Sequence, residues 1–334
     1  MRRTIALFGT AILAATAVTA CGGRQDAAST DAGGEVTCQV DKETRVGIAT
    51  GNATGVYFAL GNAYAEQLAA TGGKVKATAS ETGASVQNIQ NLVAGNFGLA
   101  FSLADTAADA VNGTSSFTEK QPIAAISRIH TNYTQVLVRK GAGIKDVAGM
   151  RGKRVSTGSP KSGTEVIANR LLKAAGLDSA KDVSAQKLDL TKTVDGMKEG
   201  SIDAMFWSGG LPTPGVTDLL TTAGDQVDFL DITSLLPEMQ KINPVYEEGT
   251  VPAATYKTAA DVKTIVVPNL LLVRNDLDAN VACVLTKTLF ERKPQLEQAN
   301  AAAKEITLEN ARKTDPVPMH RGAAKALDDL GAPK

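Results

Sequence analysis

Short stretches with the character of β-strands alternate with stretches of helical spacing along most of this chain. Residues 45–50 resemble a strand, residues 51–55 (GNATG) a turn, and residues 56–70 place apolar side chains at helical intervals. Such alternation is typical of parallel sheets that are covered by helices on both faces. The sequence therefore predicts an α/β fold with parallel-rich sheets.

Two series of this kind follow one another. The first has predicted strands at residues 45–50, 75–79 and 97–101, and predicted helices at residues 56–70 and 85–94. The second has predicted strands at residues 134–138, 154–157, 186–190 and 203–207, and predicted helices at residues 164–175 and 194–199.

The two series share a pattern of a helix, a glycine and an apolar strand. Gly95 corresponds to Gly200 and Phe101 to Phe206, and both pairs are 105 residues apart. One such repeat can arise by chance in an α/β protein. Two halves of similar plan nevertheless fit a molecule of two lobes better than one long sheet.

The last third of the chain is expected to return to the first lobe. The apolar strand predicted at residues 264–273 contains Pro268 and carries the chain back, and three helices follow it at residues 279–290, 294–310 and 323–330. The predicted division is lobe 1 at residues 42–136 and 268–334 and lobe 2 at residues 137–267, with a ligand cleft between the lobes.

The first residues have the layout of a secretory signal peptide. Arg2 and Arg3 precede an apolar region at residues 5–18, and small residues lead to Cys21. We interpret residues 1–20 as a lipoprotein signal, Cys21 as the lipidated residue and residues 21–41 as a flexible tether. The alternative is an ordinary signal peptide with a chance cysteine. Both interpretations predict an exported protein.

Composition and motifs argue against nucleic-acid binding and provide little support for catalysis. Lys plus Arg and Asp plus Glu are both 35, and aromatic residues make up only 4% of the chain. His130 and His320 are the only histidines and have no metal-ligand spacing. We therefore predict no catalytic residues, no metal and no cofactor.

Two further cysteines, Cys38 and Cys283, are candidates for a disulfide because the protein is predicted to be exported. Cys38 lies in a polar stretch that has no core to occupy. The alternative is a pair of independent thiols, with Cys283 buried in an apolar helix.

Three predicted helices begin with Gly, Ser and Thr directly after strands, near Gly55, Ser85 and Thr164. In a parallel sheet these turns lie at the carboxyl ends of the strands, where open α/β folds bind ligands. Each helix start offers free N–H groups and a positive dipole end to an anion. Ordinary helix capping explains any single turn of this kind.

Two aromatic side chains are candidates for the cleft wall. Tyr57 lies one turn into the first helix, where its hydroxyl can reach the cleft or its ring can pack in the core. Phe206 and Trp207 end a strand, so one faces the core and the other the cleft. Trp207 is the predicted cleft residue.

Six segments in order give the chain a specific resemblance to a known family. They are IATGNATGVYFALGNAYA (48–65), SETGASVQNIQNL (80–92), DVAGMRGKRVSTGSPKSGTEVIANRLLKAAGL (146–177), MKEGSIDAMFWSGGLPTPGV (197–216), VPAATY (251–256) and PMHRGAAKALDDLG (318–331). The chain resembles the TRAP-associated extracytoplasmic immunogenic (TAXI) family, the solute-binding components of tripartite ATP-independent periplasmic transporters.

The resemblance implies a type II periplasmic-binding-protein fold with a hinged cleft. It implies glutamate, glutamine or a related dicarboxylate as the ligand, and an integral membrane TRAP permease as the partner. A lipid anchor would hold the protein on the outer face of the cytoplasmic membrane. The implied ligand-contacting residues are Gly55, Tyr57, Thr82, Ser85, Ser162, Gly163, Thr164 and Trp207.

The chain departs from the family pattern at two positions. Lys161 stands where glycine is frequent before Ser-Gly-Thr, and its charge is a candidate contribution to the cleft. Arg321 stands where proline is usual. Two other classes of function stay open: a lipoprotein that presents its ligand to a receptor or sensor kinase, and an extracytoplasmic enzyme on the same fold.

Overall fold

The computed structural model describes residues 33–334 of the chain. The predicted signal peptide at residues 1–20, the predicted lipidation site Cys21 and the first part of the predicted tether lie outside the described residues. No helix within residues 33–334 combines the length and the apolar character needed to cross a bilayer.

Ten strands of the described part of the chain form one mixed sheet. They are β1 (Thr44–Ala49), β2 (Val75–Ser80), β3 (Leu99–Leu103), β4 (Ile123–Arg139), β5 (Arg154–Ser156), β6 (Ser184–Gln186), β7 (Ala204–Gly209), β8 (Val227–Phe229), β9 (Glu247–Val251) and β10 (Val262–Arg274).

The α-helices cover this sheet on both faces. They are α1 (Val56–Ala70), α2 (Ser85–Val93), α3 (Ala104–Asn112), α4 (Gly163–Ala174), α5 (Leu190–Glu199), α6 (Pro214–Ala223), α7 (Leu236–Ile242), α8 (Ala253–Tyr256), α9 (Ala279–Glu291), α10 (Lys293–Ala299), α11 (Leu308–Ala311) and α12 (Arg321–Asp329). Short 3-10 helices occur at Ala148–Met150, Thr233–Leu235 and Ala301–Glu305.

The strand order is β2-β1-β3-β10-β4-β7-β5-β6. Strands β2, β1 and β3 are parallel, as are β7, β5 and β6, whereas β10 and β4 pair antiparallel with their neighbours. The predicted parallel pairing is found in two outer groups of strands, the first made of β1, β2 and β3 and the second of β5, β6 and β7. The centre of the single mixed sheet is antiparallel.

The predicted internal repeat corresponds to equivalent places in the sheet. Strand β3 follows α2 and lies third from one edge, and β7 follows α5 and lies third from the other edge. Each of the two strands borders one of the long central strands. The shared sequence pattern is therefore matched by a shared position in the topology.

The two long strands β4 and β10 connect the outer groups. The first half of β4 pairs with β10, and its second half, from Tyr133 to Val138, pairs with β7. Strand β10 pairs with β9 at its start and with β3 near its end. The predicted lobe boundaries, between residues 136 and 137 and between residues 267 and 268, fall within these strands and stay a prediction.

Several predicted elements differ in their bounds from the observed ones. The predicted helix at residues 294–310 is wrong because Asn300 has an extended backbone with φ −158° and its side chain caps a new 3-10 turn. The strand predicted at residues 186–190 ends at Gln186, because Asp189 caps α5 through the N–H of Lys192. The strand predicted at residues 134–138 is the end of the 17-residue β4.

Apolar side chains on the two sheet faces form separate clusters. One cluster packs α2, α3 and α4 against the sheet, another packs α1, α9, α10 and α12, and a third packs α5 and α6 against β7. A disulfide joins Cys38 to the fully buried Cys283 on α9, with 5.1 Å between the Cα atoms. The start of the described chain is thereby fixed to the helical layer.

Candidate functional site

A cavity lies between the two outer groups of strands, at the carboxyl ends of β1, β2, β3, β5 and β7. It encloses about 420 Å³ free of protein atoms, counting its mouth. The lining residues are Gly51, Asn52, Gly55, Val56, Tyr57, Gly83, Ala84, Ser85, Leu103, Asn132, Ser162, Gly163, Thr164, Trp207, Ser208, Gly209 and Gly210.

Helix α1 begins at the cavity without a side-chain cap. Its N-cap residue is Gly55, which has an extended backbone. A Cβ atom on Gly55 would lie 3.1 Å from the Asn52 carbonyl oxygen and 3.4 Å from the Trp207 ring. The tight approach is to the Asn52 carbonyl, which accepts from the Gly55 N–H at 2.9 Å, so glycine suits this turn at the start of α1.

Helix α2 also begins at the cavity without a side-chain cap. Its N-cap residue is Ala84, with φ 78°. The hydroxyl of Ser85, the first helical residue, accepts a hydrogen bond of 3.1 Å from the backbone N–H of Leu103. This bond fixes the start of α2 to the end of β3.

Helix α4 closes the cavity from the other side. Ser162 caps it by accepting from the N–H of Glu165 at 2.9 Å. The Thr164 hydroxyl accepts from the N–H of Ser208 at 3.2 Å. A Cβ atom on Gly163 would lie 2.4 Å from Leu103 Cδ1 and 2.7 Å from Ser85 Oγ, so only glycine allows this approach of the two walls.

The electrostatic character of the cavity comes from its helix starts. None of the lining residues, all of which lie in the described part of the chain, has a charged side chain. The first N–H groups of α1, α2 and α4 lack intrahelical partners, and each helix end carries a partial positive charge. The arrangement is suited to a bound anion.

A chain of buried hydrogen bonds forms the floor of the cavity. The Tyr57 hydroxyl donates to Asn269 Oδ1, and the Asn269 amide donates to Asn132 Oδ1 at 2.8 Å. Asn132 Nδ2 in turn donates to the Ser208 carbonyl oxygen at 3.1 Å. Burial raises the pKa of Tyr57 far above its usual value. The chain connects α1 to β7 through both long strands.

Contacts across the mouth show that the cleft is closed in this structure. Asn52 Oδ1 accepts from Ser159 Oγ at 3.2 Å and from the N–H of Leu190 at 3.1 Å. The N–H of Gln87 donates to the Lys161 carbonyl oxygen at 3.0 Å. These bonds connect loops of the first group of strands to loops of the second.

The structure brings most of the predicted ligand-contacting residues together. The cavity is lined by Gly55, Tyr57, Ser85, Ser162, Gly163, Thr164 and Trp207. Thr82 is not among the lining residues, since its hydroxyl donates to Asn88 Oδ1 at 2.6 Å. The Lys161 ammonium contacts Gln90 Oε1 at 3.2 Å rather than the cavity.

The two aromatic candidates both line the cavity, with their polar atoms already occupied. The Tyr57 hydroxyl contacts Asn269 rather than open space. Trp207 Nε1 donates to Thr213 Oγ1 at 3.2 Å, and its ring faces Gly55. Phe206 is buried in the core, as the alternation along a strand requires.

Several lining residues were missed by sequence reasoning. Leu103 ends β3, and Asn132 lies inside β4, where no turn marks it. Ser208 and Gly209 end β7 and Gly210 follows it, and this run of small residues at the end of an apolar strand is the signal that could have identified them.

Neither histidine is among the lining residues, although the His130 ring packs against Tyr57. His130 is completely buried on β4, and burial lowers its pKa to about 3. His320 caps α12 by accepting from the N–H of Gly322. No group of three or more His, Cys, Asp or Glu side chains within residues 33–334 has a metal-binding arrangement.

Comparisons with known proteins agree with this architecture. Residues 48–331 match the model of a family described as the NMT1-like family. A solved structure from Bordetella bronchiseptica RB50 is similar with a TM-score of 0.53 and 20% identity, covering 86% of this chain and 89% of that chain.

A second solved structure is an ABC uptake transporter substrate binding protein from Streptococcus pneumoniae with bound histidine. It has a TM-score of 0.50 and 12% identity, covering 79% of this chain and 94% of that chain. At these identities the likeness concerns the fold alone. The predicted α/β binding-protein fold is confirmed.

Proposed function

Because this chain belongs to the NMT1-like family and closes a cavity onto three helix starts, we propose that it is an exported solute-binding protein for a small anion. The observation that carries the proposal is the convergence of α1, α2 and α4 on one cavity. Each helix start contributes roughly 0.3–1 kcal/mol to the binding of a negative charge, and about 2 kcal/mol when partly buried.

The proposed mechanism is a shift between open and closed forms. In the open form, the contacts of Asn52 with Ser159 and Leu190 are broken and solvent enters the cavity. The anion then contacts α1 and α2 on one wall and α4 on the other, so that it favours the closed form. A partner that binds the closed form would thereby distinguish the loaded protein from the empty one.

A membrane transporter is the proposed partner. The resemblance to the TAXI family supports a TRAP permease, and the predicted lipoprotein signal supports an anchor at Cys21. The Streptococcus pneumoniae protein of similar fold belongs, by its description, to an uptake transporter. The protein has no catalytic role in this proposal.

The proposed ligand group is a carboxylate, which glutamate, glutamine and related dicarboxylates share. Calorimetric titration of the purified protein with a panel of carboxylates, neutral sugars and cations tests this. We expect at least one carboxylate to bind with micromolar affinity. Binding of sugars or cations alone would contradict the proposal.

Thr164→Val should weaken carboxylate binding ten- to hundredfold, because a hydrogen bond to a charged group is worth about 1.5–3 kcal/mol. The matched control is Thr222→Val on the exposed face of α6, whose hydroxyl donates only to the Asp218 carbonyl at 2.7 Å. Melting curves of both variants would check their folding. Equal affinity in wild type and Thr164→Val would place the ligand elsewhere.

A further inference from the structure

We infer that the cleft opens on one face of the sheet only, and that Arg170 on the opposite face is the positioning residue of the pivot. The inference rests on the proposed movement between open and closed forms and adds the direction of that movement. It depends on how the apolar clusters divide on each face and on which side chains join the two groups of strands.

The alternation of side chains along β3 and β7 shows which helices share a face of the sheet. Ala100 and Phe206 pack with α2, α3 and α4, whereas Phe101 packs with α1 and Trp207 with α5 and α6. We call the first of these faces the α3 face and the second the α1 face.

One apolar cluster is continuous across the α3 face. It includes Leu103 and Ala107, which belong to β3 and α3, and Val166 and Leu171, which belong to α4. All four side chains are buried. Parting the two groups on this face would bring apolar surface into water, which costs free energy in proportion to the area exposed.

The apolar side chains of the α1 face are divided into two clusters. One packs under α1, α9, α10 and α12, and the other under α5 and α6. Hydrogen bonds join the two sides: Thr54 Oγ1 lies 3.4 Å from Thr191 Oγ1, and the Gly215 N–H donates to the Thr54 carbonyl oxygen at 3.2 Å. Asn300 Nδ2 donates to the Pro212 carbonyl oxygen at 3.3 Å. Water can replace each of these partners, so parting on this face costs less.

A buried charged seam joins the two groups on the α3 face. Arg170 on α4 contacts Asp105 at 2.8 Å and Asp109 at 2.5 Å, both on α3. Asp105 is fully buried and Arg170 is 9% exposed. Arg170 lies about two turns into α4, away from the loop before this helix that helps to close the mouth. The seam can therefore stay joined while that loop and the α1 face move apart.

A disulfide across the α1 face tests the direction of opening. In Thr54→Cys/Thr191→Cys the two sulfur atoms replace hydroxyls that are 3.4 Å apart, so that a bond between them needs little movement. Mass spectrometry would confirm the new bond beside that of Cys38 with Cys283. Trp207, the only tryptophan of the chain, lines the cavity and reports on the access of solvent to it.

Acrylamide quenching of Trp207 is measured without ligand, whereas carboxylate binding to the wild type, titrated separately, decides the proposed function. The quenching rate constant should fall roughly threefold in the cross-linked protein, because a bond on the opening face holds Trp207 in the closed form. Thr54→Cys alone should resemble the wild type. Equal quenching in the cross-linked protein and the wild type would mean that the α1 face is the pivot or that no open form exists, and either would overturn the inference.

Arg170→Met in the cross-linked protein tests the pivot itself. It leaves the carboxylates of Asp105 and Asp109 unpaired, and parting of the α3 face would return them to water. Quenching should therefore rise about twofold, while Arg151→Met, which breaks an exposed ion pair, should leave it unchanged. If Arg170→Met does not fold, Tyr246→Phe, which removes the hydroxyl that donates to Asp105, takes its place. Quenching that stays at the cross-linked level in a folded variant would contradict the role of Arg170 as pivot.

Discussion

At the scale of single residues, small side chains set how closely the two walls of the cavity approach. Gly163 lies against Leu103 and Ser85. A Cβ atom on Gly83 would lie 2.8 Å from the Pro160 carbonyl oxygen on the opposite wall. This carbonyl is backbone and cannot rotate away, so a methyl group at position 83 opposes closure.

Gly83→Ala is therefore expected to weaken carboxylate binding at least tenfold, because the closed form becomes less favourable. The N–H of Gly83 contacts the Gln87 side chain, which is flexible enough to adjust. Gly34→Ala is the control, since a Cβ there meets nothing within 4 Å. Small-angle scattering with and without ligand would measure compaction. Equal compaction and affinity in both variants would mean that Gly83 does not limit closure.

The buried His130 predicts a pH dependence of stability. Its ring nitrogens have no hydrogen-bond partner, and burial lowers its pKa from 6.5 to about 3. Below pH 6.5 the unfolded chain binds a proton at this residue while the folded protein does not. Linkage then requires stability to fall as the pH falls from about 6.5 towards 3.

His130→Leu is expected to remove this contribution. Between pH 7 and pH 5, the free energy of unfolding should fall by about 2 kcal/mol less in the variant than in the wild type. Urea denaturation at the two pH values measures the difference. The same loss in both proteins would show that His130 does not remain neutral in the folded state.

The candidate site could be predicted in part at this scale. Gly55, Ser85, Gly163 and Thr164 follow predicted strands directly, and all four line the cavity. What could not be predicted is the partner of each hydroxyl, because the N–H of Ser208 is 44 residues from Thr164 along the chain. Sequence spacing carries no information on such contacts.

At the scale of helices, a buried cluster of charged side chains connects α3, which follows β3, to α4, which follows β5. The Arg170 guanidinium contacts Asp105 Oδ2 at 2.8 Å and Asp109 Oδ2 at 2.5 Å. The Tyr246 hydroxyl donates to Asp105 and accepts from Arg170 at 2.9 Å. Asp105 is fully buried, so the cluster depends on all its partners.

Arg170→Met is expected to lower the free energy of unfolding by about 3–5 kcal/mol, because it leaves buried carboxylates unpaired. Arg151→Met is the control: it breaks an exposed pair with Asp182 and should change stability little. Urea denaturation of both variants provides the comparison. A similar small effect in both would show that the cluster does not stabilise the contact between α3 and α4.

Sequence patterns located the outer strands and helices better than the central ones. Helix α1 begins and ends where its apolar spacing predicts. Strand β4 was recognised only over its last residues, because Arg128, His130 and Asn132 interrupt its apolar pattern. Of these three side chains, Asn132 belongs to the floor of the cavity, where it bonds to Asn269 and Ser208.

At the scale of the whole molecule, the sheet is one continuous layer whose outer groups meet over the cavity. Each group supplies helix starts to the site, so neither group forms the site alone. The two long strands connect the outer groups, because β10 pairs with β3 and with β4, and β4 pairs in turn with β7. These two strands carry the floor residues Asn132 and Asn269. Binding and closure are therefore expected to be coupled through this floor.

The most direct test of this account is a crystal structure of the protein with bound glutarate. We expect one carboxylate between the two groups of strands, within hydrogen-bond distance of the Ser85 and Thr164 hydroxyls and of the first N–H groups of α1 and α4. The contacts of Asn52 with Ser159 and Leu190 should be present. Glutarate bound outside this cavity, or an open cleft around a bound acid, would contradict the account.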